Sequence, residues 1–308
     1  EGQDCGLMAH TKADCEPGGK AHGYLRFSPA DKWITGELQR VEAAVAQGFA
    51  DYRLDNVAGA AYAFVWDEYC DWYLELSKPV LQKGNEDEQN ATRYTLLHVL
   101  ESSLRCLHPV MPFITEEIWQ TVAPLAGKSG PTIMLQPYPV ADDSAVDSAA
   151  NADIEWLKGV IVGVRNIRGE MNIPPGKELT VLMKNGGEED QRRLTQNAPF
   201  LRKLAKLDEV TWLDTTEEAP VAATALVGDL EILVPMAGLI DTEAELARLA
   251  KETEKLEKDL KRLQGKLGNS SFIDKAPAEV VEKERDKMQA QEQALQKLKE
   301  QEQRIRNI

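Results

Sequence analysis

A leucine repeat near the C-terminus constrains the fold of this 308-residue chain more than any other feature. Its positions are separated alternately by three and four residues, which is the spacing of the a and d positions of a coiled-coil helix. After a break at residues 268–271 and Pro277, apolar residues return in the same phase from Val281 onward. Two such helices joined by one short loop predict an antiparallel coiled-coil hairpin over residues 238–308. The repeat consists of Leu246, Leu249, Thr253, Leu256, Leu260, Leu263 and Leu267.

An antiparallel helix bundle is predicted over residues 28–150, so that the chain is mainly α. Ser28 followed by Pro29 is typical of a helix start, because serine caps the first turn and proline fits the first helical position. Residues 126–152 are rich in Gly, Pro, Ser and Asp, which predicts a connector. Apolar residues at helical spacing predict further helices from about Asp55 to Pro79, from about Glu86 to Cys106, and from Pro112 onward.

A small α+β unit is predicted over residues 151–237, where the apolar period changes after a first helix that stops at Pro174. Gly228-Asp229 separates two β-type runs and indicates a two-residue hairpin turn. The other elements predicted are a strand over Glu178–Lys184, a helix over Glu188–Leu207 and a short strand over Val210–Leu213.

The net charge of −15 argues against a chain that binds polyanions over its whole surface. The charge is unevenly distributed, because residues 242–308 hold 15 Lys and Arg against 14 Asp and Glu. Residues 1–241 therefore carry the whole negative excess. A polyanion would have to be met by local basic patches rather than by the overall field of the protein.

Residues 1–27 lack apolar periodicity and predict a linker. The spacing of Cys5, His10, Cys15 and His22 fits no common zinc pattern, which favours a reduced, solvated loop over a zinc site. The chain contains neither a signal-peptide pattern nor an apolar run long enough to span a membrane, so we expect a cytoplasmic protein.

Three groups of side chains are candidate sites, each with a plain structural alternative. Arg165 and Arg168 lie three residues apart on one helix face, where guanidinium groups can bind adjacent phosphates or can simply be surface arginines. Basic residues of the first hairpin helix can contact a phosphate backbone or flank the heptads in solvent. Asp67, Asp71 and Glu75 share a predicted helix face and could support an autonomous hydrolase, although a solvated face is the simpler interpretation.

Three segments resemble the class I aminoacyl-tRNA synthetases of the valine, isoleucine and leucine subgroup. Trp66–Pro79 is similar to the second-helix motif of their anticodon-binding bundle, and His108–Trp119 is similar to its helix-turn motif. Val164–Lys177 matches the same subgroup. The predicted hairpin distinguishes the valine enzymes from the other members of this subgroup, because isoleucyl enzymes usually end in a cysteine-rich zinc module and leucyl enzymes lack such a hairpin. The chain thus resembles the C-terminal part of bacterial valyl-tRNA synthetases.

The resemblance implies tRNA recognition without catalysis by this part of the enzyme. No ATP-binding signature of the family occurs in the sequence, so no cofactor is expected here, whereas the full-length ligase is expected to use ATP and Mg²⁺ to attach valine to its tRNA and to edit mischarged threonine. The expected partner is valine-specific tRNA, without a membrane, and the expected state is a monomer. The tRNA contacts implied are Arg165, Arg168, Lys177, Tyr73, Glu75 and Lys78 near the anticodon, and Lys258, Lys261, Arg262 and Lys266 on the hairpin.

A non-catalytic coiled-coil interaction protein is the alternative hypothesis. Polar residues at Glu284, Gln291 and Glu302 interrupt the second seam, and a seam weakened in this way can be completed by a protein partner.

Overall fold

The computed structural model describes residues 25–214, 216–236 and 242–268, together with part of residues 281–303. The predicted linker residues before Leu25, including both cysteines and both histidines named above, lie outside the described residues, as does most of the predicted hairpin loop. The helices are α1 (Pro29–Ala50), α2 (Leu54–Ala63), a π-helical segment (Phe64–Tyr73), α3 (Leu74–Lys83), α4 (Glu86–Leu107), α5 (Pro112–Leu125), α6 (Ser148–Glu170), α7 (Glu188–Leu204) and α8 (Thr242–Leu267). The strands are β1 (Leu179–Lys184), β2 (Leu207–Trp212), β3 (Ala222–Val227) and β4 (Leu230–Pro235).

Helix α1 begins as its sequence predicts. The Ser28 hydroxyl oxygen accepts a hydrogen bond from the Asp31 backbone N–H at 3.1 Å, and the Asp31 carboxylate accepts one from the Ser28 N–H at 2.8 Å. This reciprocal pair is a capping box, and Pro29 occupies the first turn.

The predicted helix end at Pro79 is wrong. The chain instead runs from α2 through ten π-helical residues into α3, which continues past Pro79 to Lys83. A proline inside a helix removes one backbone hydrogen bond, and here the helix continues beyond it in contact with α4. The π-helical stretch could not be foreseen, because apolar spacing does not separate it from an α-helix.

The bundle core forms where α1 packs against α2, the π-helical segment, α4 and α6. Trp33, Ile34 and Leu38 of α1 are buried there, as the spacing predicted. A second, smaller cluster joins α4 to α5, where the buried Glu101 carboxylate accepts hydrogen bonds from the Trp119 indole and the Arg105 guanidinium, each at 2.9 Å.

The α+β unit is a four-stranded sheet in the order β2-β1-β4-β3. Strands β1 and β2 are parallel, and the other two pairs are antiparallel. Val227 pairs with Leu230 across the predicted Gly228-Asp229 turn, and Gly228 has a φ of +61°, so the hairpin is confirmed. Helix α7 ends at Leu204 and β2 begins at Leu207, three residues earlier than predicted for both boundaries.

Helix α6 connects the bundle to the sheet. It begins at Ser148, inside the predicted connector, and packs against α1 on one side and against β3 and β4 on the other. A Cβ atom at Gly163 would lie 3.0 Å from the Ala225 side chain, so glycine permits the close approach of α6 to β3. The proposed boundary between residues 150 and 151 stays a prediction, since α6 contacts both units.

The first helix of the predicted hairpin is confirmed as α8, with Leu263 of its seam buried. Two ion pairs join α8 to the chain that follows it. Lys266 Nζ lies 2.6 Å from a Glu284 carboxylate oxygen, and Lys299 Nζ lies 2.8 Å from one of Glu257. Within the part of the chain that the structure describes, the helices are too short or too polar to cross a membrane.

Candidate nucleic-acid interface

Arg168 is a structural residue, which corrects its predicted role as a phosphate contact. Its side chain is directed inward at the end of α6, the residue is only 8% exposed, and burial lowers the pKa of its guanidinium. Its Nη1 donates to the Lys177 carbonyl at 2.7 Å, and its Nη2 donates to the carbonyls of Ala205 and Lys206 at 3.0 and 2.8 Å. Arg168 therefore ties the turn after α6 to the C-terminal end of α7.

Arg165 remains at the surface, one turn before Arg168. Its Nη2 donates to the Leu204 carbonyl at 3.2 Å, and its guanidinium carbon lies 5.7 Å from the centre of a Trp72 ring, within the range of a cation–π contact. Lys177 is half-buried, and its carbonyl is held by Arg168. The three predicted basic residues are thus neighbours with different roles.

A basic surface surrounds Arg165. The ends of α6 and α7 enclose a cavity of about 480 Å³, with Arg165 and Lys206 on its wall. Lys203 Nζ donates to the Gln82 side-chain oxygen at 2.6 Å and so links this surface to helix α3. We call the exposed group the α6–α7 patch; it consists of Arg165, Arg202, Lys203 and Lys206. Sequence reasoning missed its last three members, because only the fold brings the end of α7 beside α6.

Of the three residues of the Trp66–Pro79 motif that were predicted to contact tRNA, only Glu75 and Lys78 reach the surface. Glu75 and Lys78 form an ion pair with each other on α3, with Lys78 exposed and Glu75 half-buried. Tyr73 is fully buried, and its hydroxyl donates to the Asp31 carboxylate at 2.6 Å. Burial and the nearby Asp31 charge raise the pKa of Tyr73 well above its ordinary value. The predicted anticodon contact of Tyr73 is therefore corrected to a core role.

The acidic group proposed for a hydrolase has no catalytic arrangement among the described residues. Asp67 and Asp71 are exposed on the π-helical segment, and Glu75 is paired with Lys78. Within the same part of the chain, no three His, Cys, Asp or Glu side chains cluster in a way that could hold a metal ion.

The arm, as we call α8 and the described residues after it, presents its predicted cations to solvent. Lys261 and Arg262 are exposed, Lys258 pairs with Glu254 at 2.6 Å, and Lys266 pairs with Glu284. The hydrogen bond from Lys266, followed by the nearby positive charges of Lys287 and Arg262, lowers the pKa of Glu284. Cations from both parts of the arm therefore converge around one carboxylate.

A third feature was not foreseen from the sequence, namely a cavity of about 840 Å³ between α1, α4 and the connector at residues 138–147. Gln39 and Glu42 of α1 line it, although each lies at an ordinary polar position of a helix pattern. Tyr94 and His98 of α4 line the opposite side, with their rings stacked at 5.7 Å. We call this space the α1–α4 cavity.

Two family models match the chain. Residues 31–183 match the anticodon-binding domain of tRNA ligase, which covers the bundle and continues through α6 into β1. The chain therefore belongs to the tRNA ligases, the aminoacyl-tRNA synthetases, as the resemblance implied.

The second match gives the member of that class. Residues 241–306 match the tRNA-binding arm of valyl-tRNA synthetase, and the two matches together span more than two thirds of the chain. The chain corresponds to the C-terminal, tRNA-recognising portion of a valyl-tRNA synthetase, and its role lies in protein biosynthesis. Both matched models describe tRNA-binding parts, and neither describes a catalytic domain.

Proposed function

We propose that this chain holds valine-specific tRNA within a monomeric, cytoplasmic valine–tRNA ligase. The observation that carries the proposal is the occurrence of an anticodon-binding domain and a valyl-type arm in one chain. The ATP and Mg²⁺ of the ligase reaction would be used elsewhere in the enzyme, and the residues of this chain would position the tRNA.

The contacts fall on two surfaces. Near the anticodon stem we assign phosphate contacts to Arg165 and Lys177 and further tRNA contacts to Glu75 and Lys78. Arg168 positions the turn after α6 rather than touching the tRNA. Exposed cations close to one another can neutralise consecutive phosphates of a folded RNA. On the arm we assign contacts with the outer corner of the tRNA to Lys258, Lys261, Arg262 and Lys266, as two antiparallel helices of a coiled coil would present them.

Specificity is tested by fluorescence anisotropy of the chain with valine tRNA and with the same tRNA carrying an unrelated anticodon. We expect tighter binding of the valine anticodon, and we expect both affinities to fall linearly with the logarithm of salt concentration. Equal affinity for both tRNAs would contradict anticodon recognition by this chain. An absence of binding even at low salt would contradict the whole proposal and would favour the coiled-coil interaction protein instead.

A further inference from the structure

The indole ring of Trp72 contacts two cations of helix α6. Its centre lies 5.6 Å from the Lys158 ammonium nitrogen and 5.7 Å from the Arg165 guanidinium carbon. Both distances are within the range of a cation–π contact. The two cations are about two turns apart on α6, so their side chains leave the same face of that helix. Trp72 belongs to the π-helical segment, and its ring therefore joins two separate elements of the fold.

The two cations differ in their other partners. Lys158 is 9% exposed and forms ion pairs with Glu68 and Glu155, so its charge is compensated inside the protein. Arg165 is exposed, and no carboxylate of the described residues forms an ion pair with it. Its Nη2 donates to the Leu204 carbonyl at 3.2 Å, and the guanidinium has further N–H donors for a ligand. The charge of Arg165 is thus available to an anion.

An exposed arginine loses conformational freedom when it binds a ligand, and this loss opposes binding. A contact that holds the guanidinium in place beforehand removes part of the loss. Arg165 has two such contacts, one with the Leu204 carbonyl of α7 and one with the Trp72 ring. Its guanidinium is therefore restrained from two sides of the α6 helix end before any ligand arrives.

We propose that Trp72 is a positioning residue for tRNA recognition, because its ring holds the Arg165 guanidinium in the orientation that contacts a phosphate of the tRNA. Trp72 acts through Arg165 and does not itself touch the RNA. This inference rests on the proposed function, in which Arg165 makes a phosphate contact. The competing explanation is that the half-buried Trp72 ring only packs against the core of the bundle.

The test is the effect of Trp72→Leu on valine-tRNA affinity, measured by fluorescence anisotropy with and without Arg165→Ala. Trp72→Leu alone should weaken binding about threefold, as for the loss of a cation–π contact at an exposed site. Combined with Arg165→Ala it should cause no further loss, because residues that act through one another have non-additive effects. The matched control is Trp66→Leu, which should leave the affinity unchanged. Trp66 is an exposed tryptophan of the same segment, and its ring stacks on Tyr62.

A second set of variants keeps the shape of the side chain and so guards against misfolding of Trp72→Leu. Tryptophan analogues with one, two or three ring fluorine atoms, inserted in place of Trp72 alone, progressively weaken the negative potential of the ring face on which a cation–π contact depends. The tRNA affinity should fall in the same order when Arg165 is present and should stay constant with Arg165→Ala. A ring that only packs would not produce this order.

Arginine side-chain NMR tests the positioning without RNA. The Nε–H group of Arg165 should have a lower order parameter in Trp72→Leu than in the unsubstituted chain, because the side chain moves more on the ps–ns timescale. Equal order parameters, or equal loss of affinity from Trp72→Leu with and without Arg165→Ala, would overturn this inference. The proposed function would then stand as long as the unsubstituted chain binds valine tRNA. If the unsubstituted chain bound no tRNA, the proposed function would fail and this inference with it.

Discussion

We call the described residues from 25 to 236 the body of the molecule. The body and the arm use lysine and arginine side chains in opposite ways. In the body, Lys158 lies between Glu68 and Glu155 with its ammonium group 4.3 Å from the centre of the Trp33 ring, and its side chain is 11% exposed. In the arm, the Lys258 side chain is 74% exposed and pairs only along its own helix among the described contacts. Removing one partner of a buried ion pair leaves an uncompensated charge, so the buried cations of the body are tied to their local contacts, whereas the exposed cations of the arm can be met by a polyanion. Charge counts alone do not distinguish these two uses.

We expect the largest effect on stability from a substitution of Arg168. We expect Arg168→Ala to lower the free energy of unfolding by about 3 kcal/mol, because three carbonyl oxygens lose a charged donor at a buried site. Urea denaturation followed by circular dichroism measures this change. Arg165→Ala, one turn earlier and exposed, is the matched control and should leave the unfolding midpoint nearly unchanged. Equal midpoints for both variants would mean that Arg168 does not stabilise the fold.

A substitution in the arm should change tRNA affinity and leave stability unchanged. Lys261→Ala is expected to weaken binding of every tRNA alike and to reduce the slope of log affinity against log salt by about 1, since one phosphate contact is lost. The unfolding midpoint should stay the same, because Lys261 is exposed. Lys251→Ala, an exposed lysine nearer the start of α8, is the control. If Lys251→Ala and Lys261→Ala reduced the slope equally, the arm would act through its total charge and not through a defined surface.

The sequence predicted the elements that local chemistry determines. The leucine repeat indicated α8, Ser28 indicated the start of α1, and Gly228-Asp229 indicated the hairpin, because each depends on residues close together in the chain. The difference between Arg165 and Arg168 could not be predicted, since it depends on where α7 ends in space. Gln39 and Glu42 were missed for a related reason, because the connector that closes their cavity lies about 100 residues away in the sequence.

The buried carboxylate of Glu42 and the half-buried carboxylate of Glu284 should show opposite pH dependence. Burial raises the pKa of Glu42 above its ordinary value, so its charge reduces stability as the pH rises through the raised pKa. Lys266 lowers the pKa of Glu284, so that charge adds stability above the ordinary pKa and loses it as the pH falls through the lowered one. At pH 7 we expect Glu42→Gln to raise the thermal midpoint and Glu284→Gln to lower it. Both differences should vanish in acid, and differences of the same sign at pH 7 would contradict this contrast.

The smallest expected effect concerns one hydroxyl in the arm. Thr253 occupies a seam position of α8, and its hydroxyl is buried without a hydrogen-bond partner among the described residues. Thr253→Val keeps the shape and removes the unpaired group, so we expect a gain of about 1 kcal/mol in arm stability. Slower amide exchange of α8, measured by mass spectrometry, would report it. The control is Thr195→Val in the body helix α7, where the hydroxyl already donates to the Gln191 carbonyl at 2.9 Å and its removal gives no such gain. If Thr253→Val instead accelerated exchange, the hydroxyl would be paired in solution.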